Sequence, residues 1–123
     1  MTFTSARRLG VAALGLGLLL AASPAALAHA ILVEATPAAK ATVGGPDLDV
    51  RLRFNSRIDG ARSHLSLVLP TKQVRTLALD KQAAPNALAA RATGLAAGAY
   101  RLRWQVLAAD GHITRGEIPF TVK

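Results

Sequence analysis

Two stretches of strict alternation between apolar and polar residues limit this chain to a fold built on half-buried strands. They are Leu48–Phe54, with the sequence LDVRLRF, and Tyr100–Val106, with the sequence YRLRWQV. In a strand, successive side chains point to opposite faces, so a period of two places the apolar residues on one face. Each stretch therefore predicts a strand with one face in a core and the other in solvent.

Shorter apolar stretches extend this pattern after residue 28, at intervals of roughly ten residues. Segments that contain Pro, Gly or Asn separate them. The alanines between 83 and 97 are interrupted by Pro85, Gly94 and Gly98, which disfavours a helix there. We therefore predict an all-β fold, an antiparallel Greek-key β-sandwich or barrel of about seven strands. The other predicted strands are Ile31–Glu34, Leu65–Leu69, Val74–Leu79, Ala87–Ala92 and Glu117–Val122.

The apolar positions of these strands give the predicted core. It consists largely of Leu52, Phe54, Leu102, Trp104, Val106, Phe120 and Val122.

The first 28 residues have the order of a secretory signal. Arg7 and Arg8 precede an apolar run over residues 9–22, and Ala26-Leu27-Ala28 follows it. The run is shorter than the roughly 20 residues that span a bilayer, which favours cleavage over a retained signal anchor. We predict a signal peptide over residues 1–28, cleavage after Ala28, one domain over residues 29–123, and no membrane span after cleavage.

The predicted domain is basic. It keeps 13 of the 15 Lys and Arg residues, because Arg7 and Arg8 precede it, against all 7 Asp and Glu residues, which gives a net charge of +6. Arg51, Arg53, Arg101 and Arg103 alternate with apolar residues, as on the solvated faces of strands. With few aromatics to stack on bases, we predict no nucleic-acid binding. An anionic membrane surface or an acidic partner remains open.

Sulfur ligands are missing from the predicted domain. The chain has no cysteine, and its single methionine is Met1. Any metal site after cleavage would therefore use nitrogen and oxygen donors.

Cleavage after Ala28 would leave His29 at the N-terminus. Its α-amine and the nearer imidazole nitrogen can then close a chelate ring on one ion. Copper(II) favours tetragonal nitrogen and oxygen ligands and lies at the top of the divalent affinity series, so it is the leading candidate.

A second cluster, Asp110-Gly111-His112, follows the Tyr100–Val106 strand. In an extended backbone, Asp110 and His112 would point to the same face and could bind the same ion, with Gly111 leaving room for its approach. Taken alone, the cluster also fits an ordinary turn. His64 lies among polar residues at the start of a predicted strand, and we expect it to be solvated and not a ligand.

Several motifs together resemble the CopC copper-resistance family. The resemblance implies a cupredoxin-like or immunoglobulin-like sandwich in the periplasm, with one copper(II) ion bound by His29, Asp110 and His112. It covers nearly all of residues 29–123. The motifs are His29-Ala30-Ile31-Leu32, Thr36-Pro37-Ala38, Arg53-Phe54, Asp110-Gly111-His112, and Gly116 through Phe120-Thr121-Val122.

Two departures from the family pattern restrict the expected site. Asn55 and Ser56 stand where some relatives have a glutamate soon after the phenylalanine, which argues against a fourth carboxylate ligand. The methionine-rich loop that other members use for copper(I) is missing. The resemblance therefore implies a member that binds copper(II) only.

Three functions are consistent with these patterns. The first is a non-enzymatic copper(II) protein for copper resistance or homeostasis, which sequesters the ion or transfers it; the resemblance implies a separate, CopD-like inner-membrane partner. The second is a histidine-brace copper oxidase of the polysaccharide oxygenase type, which would need exposed aromatics, whereas Tyr100 and Trp104 are assigned to a buried face. The third is a metal-free sandwich module for adhesion or assembly, since a fold alone does not fix a function.

Overall fold

A computed structural model describes residues 29–123, and the predicted leader, residues 1–28, lies outside the described residues. Eight strands follow one another along this part of the chain, and none of it forms a helix long and apolar enough to cross a bilayer. The strands are β1 (Leu32–Thr36), β2 (Thr42–Val43), β3 (Leu48–Phe54), β4 (Ile58–Val68), β5 (Val74–Leu77), β6 (Ala87–Ala92), β7 (Gly98–Ala108) and β8 (Ile113–Val122).

The strands form two sheets that enclose one core. The smaller sheet has the order β1-β3-β6, and the larger sheet has the order β2-β8-β7-β4-β5. Neighbouring strands are antiparallel except β2 and β8, which are parallel. The predicted all-β sandwich is confirmed, with eight strands in place of about seven. The additional strand, β2, has two residues and is too short to show an alternating pattern.

The strict alternation in β3 and β7 places their apolar side chains in the core, as predicted. In β3 every second residue from Leu48 to Phe54 is buried, and in β7 the same holds from Tyr100 to Val106. All seven predicted core residues are buried. Phe54 of the smaller sheet meets Trp104 of the larger sheet edge to face, with ring centroids 5.3 Å apart. The core therefore lies between the sheets, as predicted.

Several predicted strand boundaries were wrong, including the start of the last strand, which begins at Ile113 and not at Glu117. The strand predicted from Leu65 begins at Ile58, because a register shift between Asp59 and His64 interrupts the period of two. His64 therefore lies within β4, where its side chain is exposed as expected. The strand predicted to reach Leu79 ends at Leu77, because the chain leaves the larger sheet there, and Leu79 forms an isolated bridge to Ala90 of the smaller sheet.

The arginines of the alternating strands lie on solvated faces, as predicted. Arg53 pairs with Glu34 across β3 and β1, and Arg103 pairs with Glu117 across β7 and β8, each at 2.8 Å. The hydrogen bond from Arg103 holds the pKa of the Glu117 carboxyl below its ordinary value. Exposed pairs of this kind add little to stability. The fold therefore depends mainly on the core between the sheets.

Gly116 lies opposite Trp104 in the β7–β8 ladder, and the indole occupies the space where a side chain would stand. A Cβ at this position would lie 2.7 Å from Trp104 Nε1 and nearer still to two ring carbons. A side chain at 116 can therefore be accommodated only if the indole or the backbone moves.

We expect Gly116→Ala to lower the free energy of unfolding by about 1–3 kcal/mol, the usual cost of overpacking a core. For a domain of this size that corresponds to a fall in Tm of roughly 5–15 °C. Gly44→Ala is the matched control, because a Cβ at Gly44 meets no atom within 4 Å. Thermal unfolding followed by circular dichroism measures both variants. Equal Tm values for the two would contradict this packing.

Candidate metal centre

The segment that carries His29 is fixed to the end of β3. His29 is exposed, whereas Ala30 beside it is fully buried. Ile31 then exchanges two hydrogen bonds with Asn55: its N–H donates to Asn55 Oδ1 at 2.8 Å, and its carbonyl accepts from the Asn55 N–H at 2.9 Å. The position of His29 is therefore set by contacts only one and two residues away.

Asp110 and His112 lie in the tight turn between β7 and β8, so the predicted extended backbone was wrong. The Gly111 N–H donates to the Ala108 carbonyl at 2.9 Å, and the Ala108 N–H donates to the His112 carbonyl at 2.8 Å. Gly111 has a φ of 87°, in the left-handed region that favours glycine. No protein atom lies within 4 Å of a Cβ there, so the turn is the reason for glycine that the described residues show.

The turn places both side chains together by a different route. The His112 N–H donates to Asp110 Oδ1 at 3.0 Å, which closes a small ring between the side chain and the backbone two residues on. His112 Nδ1 lies 2.6 Å from Asp110 Oδ2. Asp110 and His112 are thus adjacent because of the turn.

The two segments meet at one end of the sandwich. One potential ligand atom from each of His29, Asp110 and His112 lies within 4.8 Å of the others, and all three residues are exposed. The two imidazole rings are 4.9 Å apart between centroids. Donors that share an ion at about 2.0–2.2 Å lie roughly 3–4 Å apart. Small rotations of exposed side chains would therefore bring all three onto one ion.

The hydrogen bonds from His112 also set the charge of the site. They lower the pKa of Asp110 below its ordinary value of 3.8, the side-chain bond having the largest effect. The carboxylate is therefore ionised at neutral pH. It can donate an oxygen to a cation, or it can orient the His112 ring while Nε2 binds the ion.

The corner after β3 offers no carboxylate to this site. Asn55 Oδ1 is occupied by the Ile31 N–H, and the Ser56 hydroxyl is buried without a hydrogen-bond partner. The contact of Asn55 with the N-terminal segment was not predicted, because in the sequence Asn55 is visible only as a departure from the family pattern. The available signal was a short amide side chain directly after the last residue of a strand. His64 lies outside the set of three residues whose potential ligand atoms come together, namely His29, Asp110 and His112.

Comparison with known proteins places the chain in a family. A family model described as the CopC domain matches residues 32–123. The chain belongs to the CopC family. The resemblance predicted from the sequence is thereby confirmed.

Similar proteins support the same assignment. Copper resistance protein C of Xanthomonas campestris pv. juglandis is 32% identical over 110 residues, which cover 83% of this chain and 86% of that protein. The crystal structure of CopC from Methylosinus trichosporium OB3b superposes with a TM-score of 0.69 at 36% identity, over 77% of this chain and 94% of that one. PcoC from Escherichia coli, a methionine-rich copper resistance protein, gives a TM-score of 0.61 at 26% identity, over 78% and 100%. This CopC-family chain thus shares both sequence and fold with these proteins.

Proposed function

We propose that this CopC-family protein is a periplasmic copper(II)-binding protein that sequesters or transfers one ion for copper resistance or homeostasis. The observation that carries the proposal is the convergence of His29, Asp110 and His112 at one end of the sandwich. Cleavage after Ala28 would add the His29 α-amine, giving three nitrogen donors and one oxygen donor. Copper(II) prefers this type of donor set. The relatives named as copper resistance proteins support the same ion.

The donors also favour one oxidation state of copper. Residues 29–123 contain neither cysteine nor methionine, and these soft sulfur ligands are the ones that select copper(I). PcoC, by contrast, is described as methionine rich. We therefore propose copper(II) as the cargo of this family member.

The exposed position of the site suits an ion that is handed over. Ile31 and Ile113, which flank the ligand residues in sequence, are 54% and 51% exposed and offer apolar contacts near the ion. The net charge of +6 over residues 29–123 would attract an acidic partner. These features support transfer to or from a separate protein, for which a CopD-like inner-membrane protein is the candidate implied by the family.

Burial of the aromatic residues argues for a carrier over a polysaccharide oxygenase. Phe54, Tyr100, Trp104 and Phe120 are all buried, so the described residues present no aromatic surface for a sugar polymer. We therefore propose no catalytic turnover. Oxidised sugar products from copper-loaded protein supplied with oxygen and a reductant would support the oxygenase instead.

The test of the proposed function is His112→Ala in protein that begins at His29. If four donors share the roughly 10–16 kcal/mol typical of a closed metal site, one donor is worth about 3 kcal/mol, or about a hundredfold in affinity. We expect copper(II) titration against a competing chelator to show a loss of this order. His64→Ala is the matched control, because His64 is an exposed histidine outside the site.

Two results would contradict the proposal. Unchanged affinity in His112→Ala would remove His112 from the site. No specific copper(II) binding by the wild type would favour the metal-free sandwich module.

A further inference from the structure

We propose that Asn55 is a positioning residue of the metal centre, because its side chain holds the segment that carries His29 at the correct distance from Asp110 and His112. This inference rests on the proposed copper(II) function. Asn55 makes no hydrogen bond to the imidazole of His29 or of His112. It would therefore act only through Ile31.

The geometry of the β1–β3 ladder explains why an amide is needed at this position. Leu32 pairs with Phe54 in the antiparallel register, so the next opposite pair is Ile31 and Asn55. In a regular hydrogen-bonded pair, the two residues exchange backbone N–H···O bonds in both directions. Here the Asn55 N–H makes one of them, to the Ile31 carbonyl. The other is accepted by Asn55 Oδ1 in place of its own carbonyl, because the chain turns away towards β4.

Phe54, the residue before Asn55, is itself held in place by the core and by hydrogen bonds, so the position of Asn55 is fixed. Phe54 is fully buried. Its N–H donates to the Asn86 carbonyl at 2.8 Å, and its carbonyl accepts from Asn86 Nδ2 at 3.0 Å. Asn55 therefore ties Ile31, which is two residues from His29, to the fixed position of Phe54 in the core.

The same corner also contacts the other half of the site. The Ala109 N–H donates to the Arg57 carbonyl at 3.3 Å, and Ala109 directly precedes Asp110 in the β7–β8 turn. Residues 55–57 thus contact the N-terminal segment on one side and the turn of Asp110 and His112 on the other. Loss of the Asn55 side-chain bond would leave the first of these connections with only the bond from the Asn55 N–H to the Ile31 carbonyl.

The prediction compares Asn55→Ala with Asn55→Asp, both in protein that begins at His29. Alanine removes the acceptor for the Ile31 N–H, and we expect roughly three- to tenfold weaker copper(II) binding, in proportion to one lost hydrogen bond. Aspartate keeps an oxygen at the same place, so we expect affinity at least equal to the wild type, with an unchanged visible spectrum of the bound ion. Gln82→Ala is the control for the loss of one amide side chain that hydrogen-bonds to the backbone, because Gln82 donates to the Ala87 carbonyl and contacts neither Ile31 nor Asn55 by a hydrogen bond.

A second measurement follows the contact itself without any metal. We expect hydrogen exchange at the Ile31 amide to be at least roughly tenfold faster in Asn55→Ala than in the wild type, and close to wild type in Asn55→Asp. Unchanged exchange in Asn55→Ala, or equal copper affinity of Asn55→Ala and wild type, would overturn the proposal. So would an Asn55→Asp variant as weak as Asn55→Ala.

The two measurements separate this inference from the proposed function. Should the wild type bind no copper, the role of Asn55 in a metal centre would fail together with that function. Faster Ile31 exchange in Asn55→Ala would in that case still establish that Asn55 holds the N-terminal segment.

Discussion

Protein that begins at His29 is expected to bind copper(II) more than a hundredfold more tightly than the same protein with one residue added in front. An added residue converts the α-amine into an amide, whose nitrogen can bind copper(II) only after the ion displaces its proton, which costs affinity. It also opens the chelate ring, so the His29 imidazole would bind as a single ligand. On the scale of about 3 kcal/mol for each donor of a closed site, the combined loss lies between about a hundredfold and ten-thousandfold.

Competitive titration with a chromophoric chelator measures this difference directly. An alanine added before His29 gives the test protein, and an alanine added after Lys123 gives a control of the same composition. We also expect a changed visible spectrum in the first protein only, because one nitrogen donor is lost. Equal affinity and equal spectra for all three proteins would exclude the terminal amine as a ligand.

The apparent copper(II) affinity is expected to fall with increasing steepness as the pH is lowered from 7 to 5. The α-amine and the two imidazoles must each be free of a bound proton to bind the ion. The more of these three nitrogens carry a proton in the metal-free protein, the more protons binding releases. Three released protons give a limit of about a thousandfold loss of affinity per pH unit.

We expect Asp110 not to contribute to this dependence of copper(II) affinity on pH. Its hydrogen bonds with His112 hold its pKa below 3.8, so the carboxylate stays ionised throughout the range measured. The His112→Ala variant has one nitrogen fewer from which a proton is displaced, so its loss of affinity should not exceed about a hundredfold per pH unit. A flat profile between pH 5 and pH 7, or a slope that His112→Ala leaves unchanged, would contradict the proposed ligands.

Strands could be predicted where apolar and polar residues alternate strictly, because each residue type then indicates whether its side chain faces the core or solvent. β3 and β7 are the central strands of their sheets and alternate strictly, so their buried sides and the extent of β3 followed from the sequence. β7 runs two residues further at each end than its predicted range. The first half of β4 was missed because its register shift breaks the period of two. β2 was missed because its two residues gain their structure from parallel pairing with β8, a non-local contact.

The site shows the same division between local and non-local information. The donor atoms that His29, Asp110 and His112 can offer to an ion could be predicted, because donor chemistry belongs to the side chains themselves. The conformation that joins Asp110 to His112 could not be predicted, since both a turn and extended backbone suit a residue pair separated by glycine. The role of Asn55 depends on where β3 leaves the ladder and on which carbonyl is thereby lost to Ile31. No single-residue pattern contains that information.

The two segments of the candidate site belong to different sheets, so an ion bound to both would also connect the sheets. His29 precedes the edge strand of the smaller sheet, whereas His112 precedes β8 of the larger sheet, and the two are 83 positions apart in the sequence. An ion bound to both would close most of the domain into a ring. A covalent cross-link over a loop of that length restricts the unfolded chain by about 4–5 kcal/mol. A reversibly bound ion differs from such a cross-link, because it dissociates from the unfolded chain and stabilises the domain only through its preference for the folded arrangement. Delivery of the ion would therefore remove both this stabilisation and the connection between the two sheets.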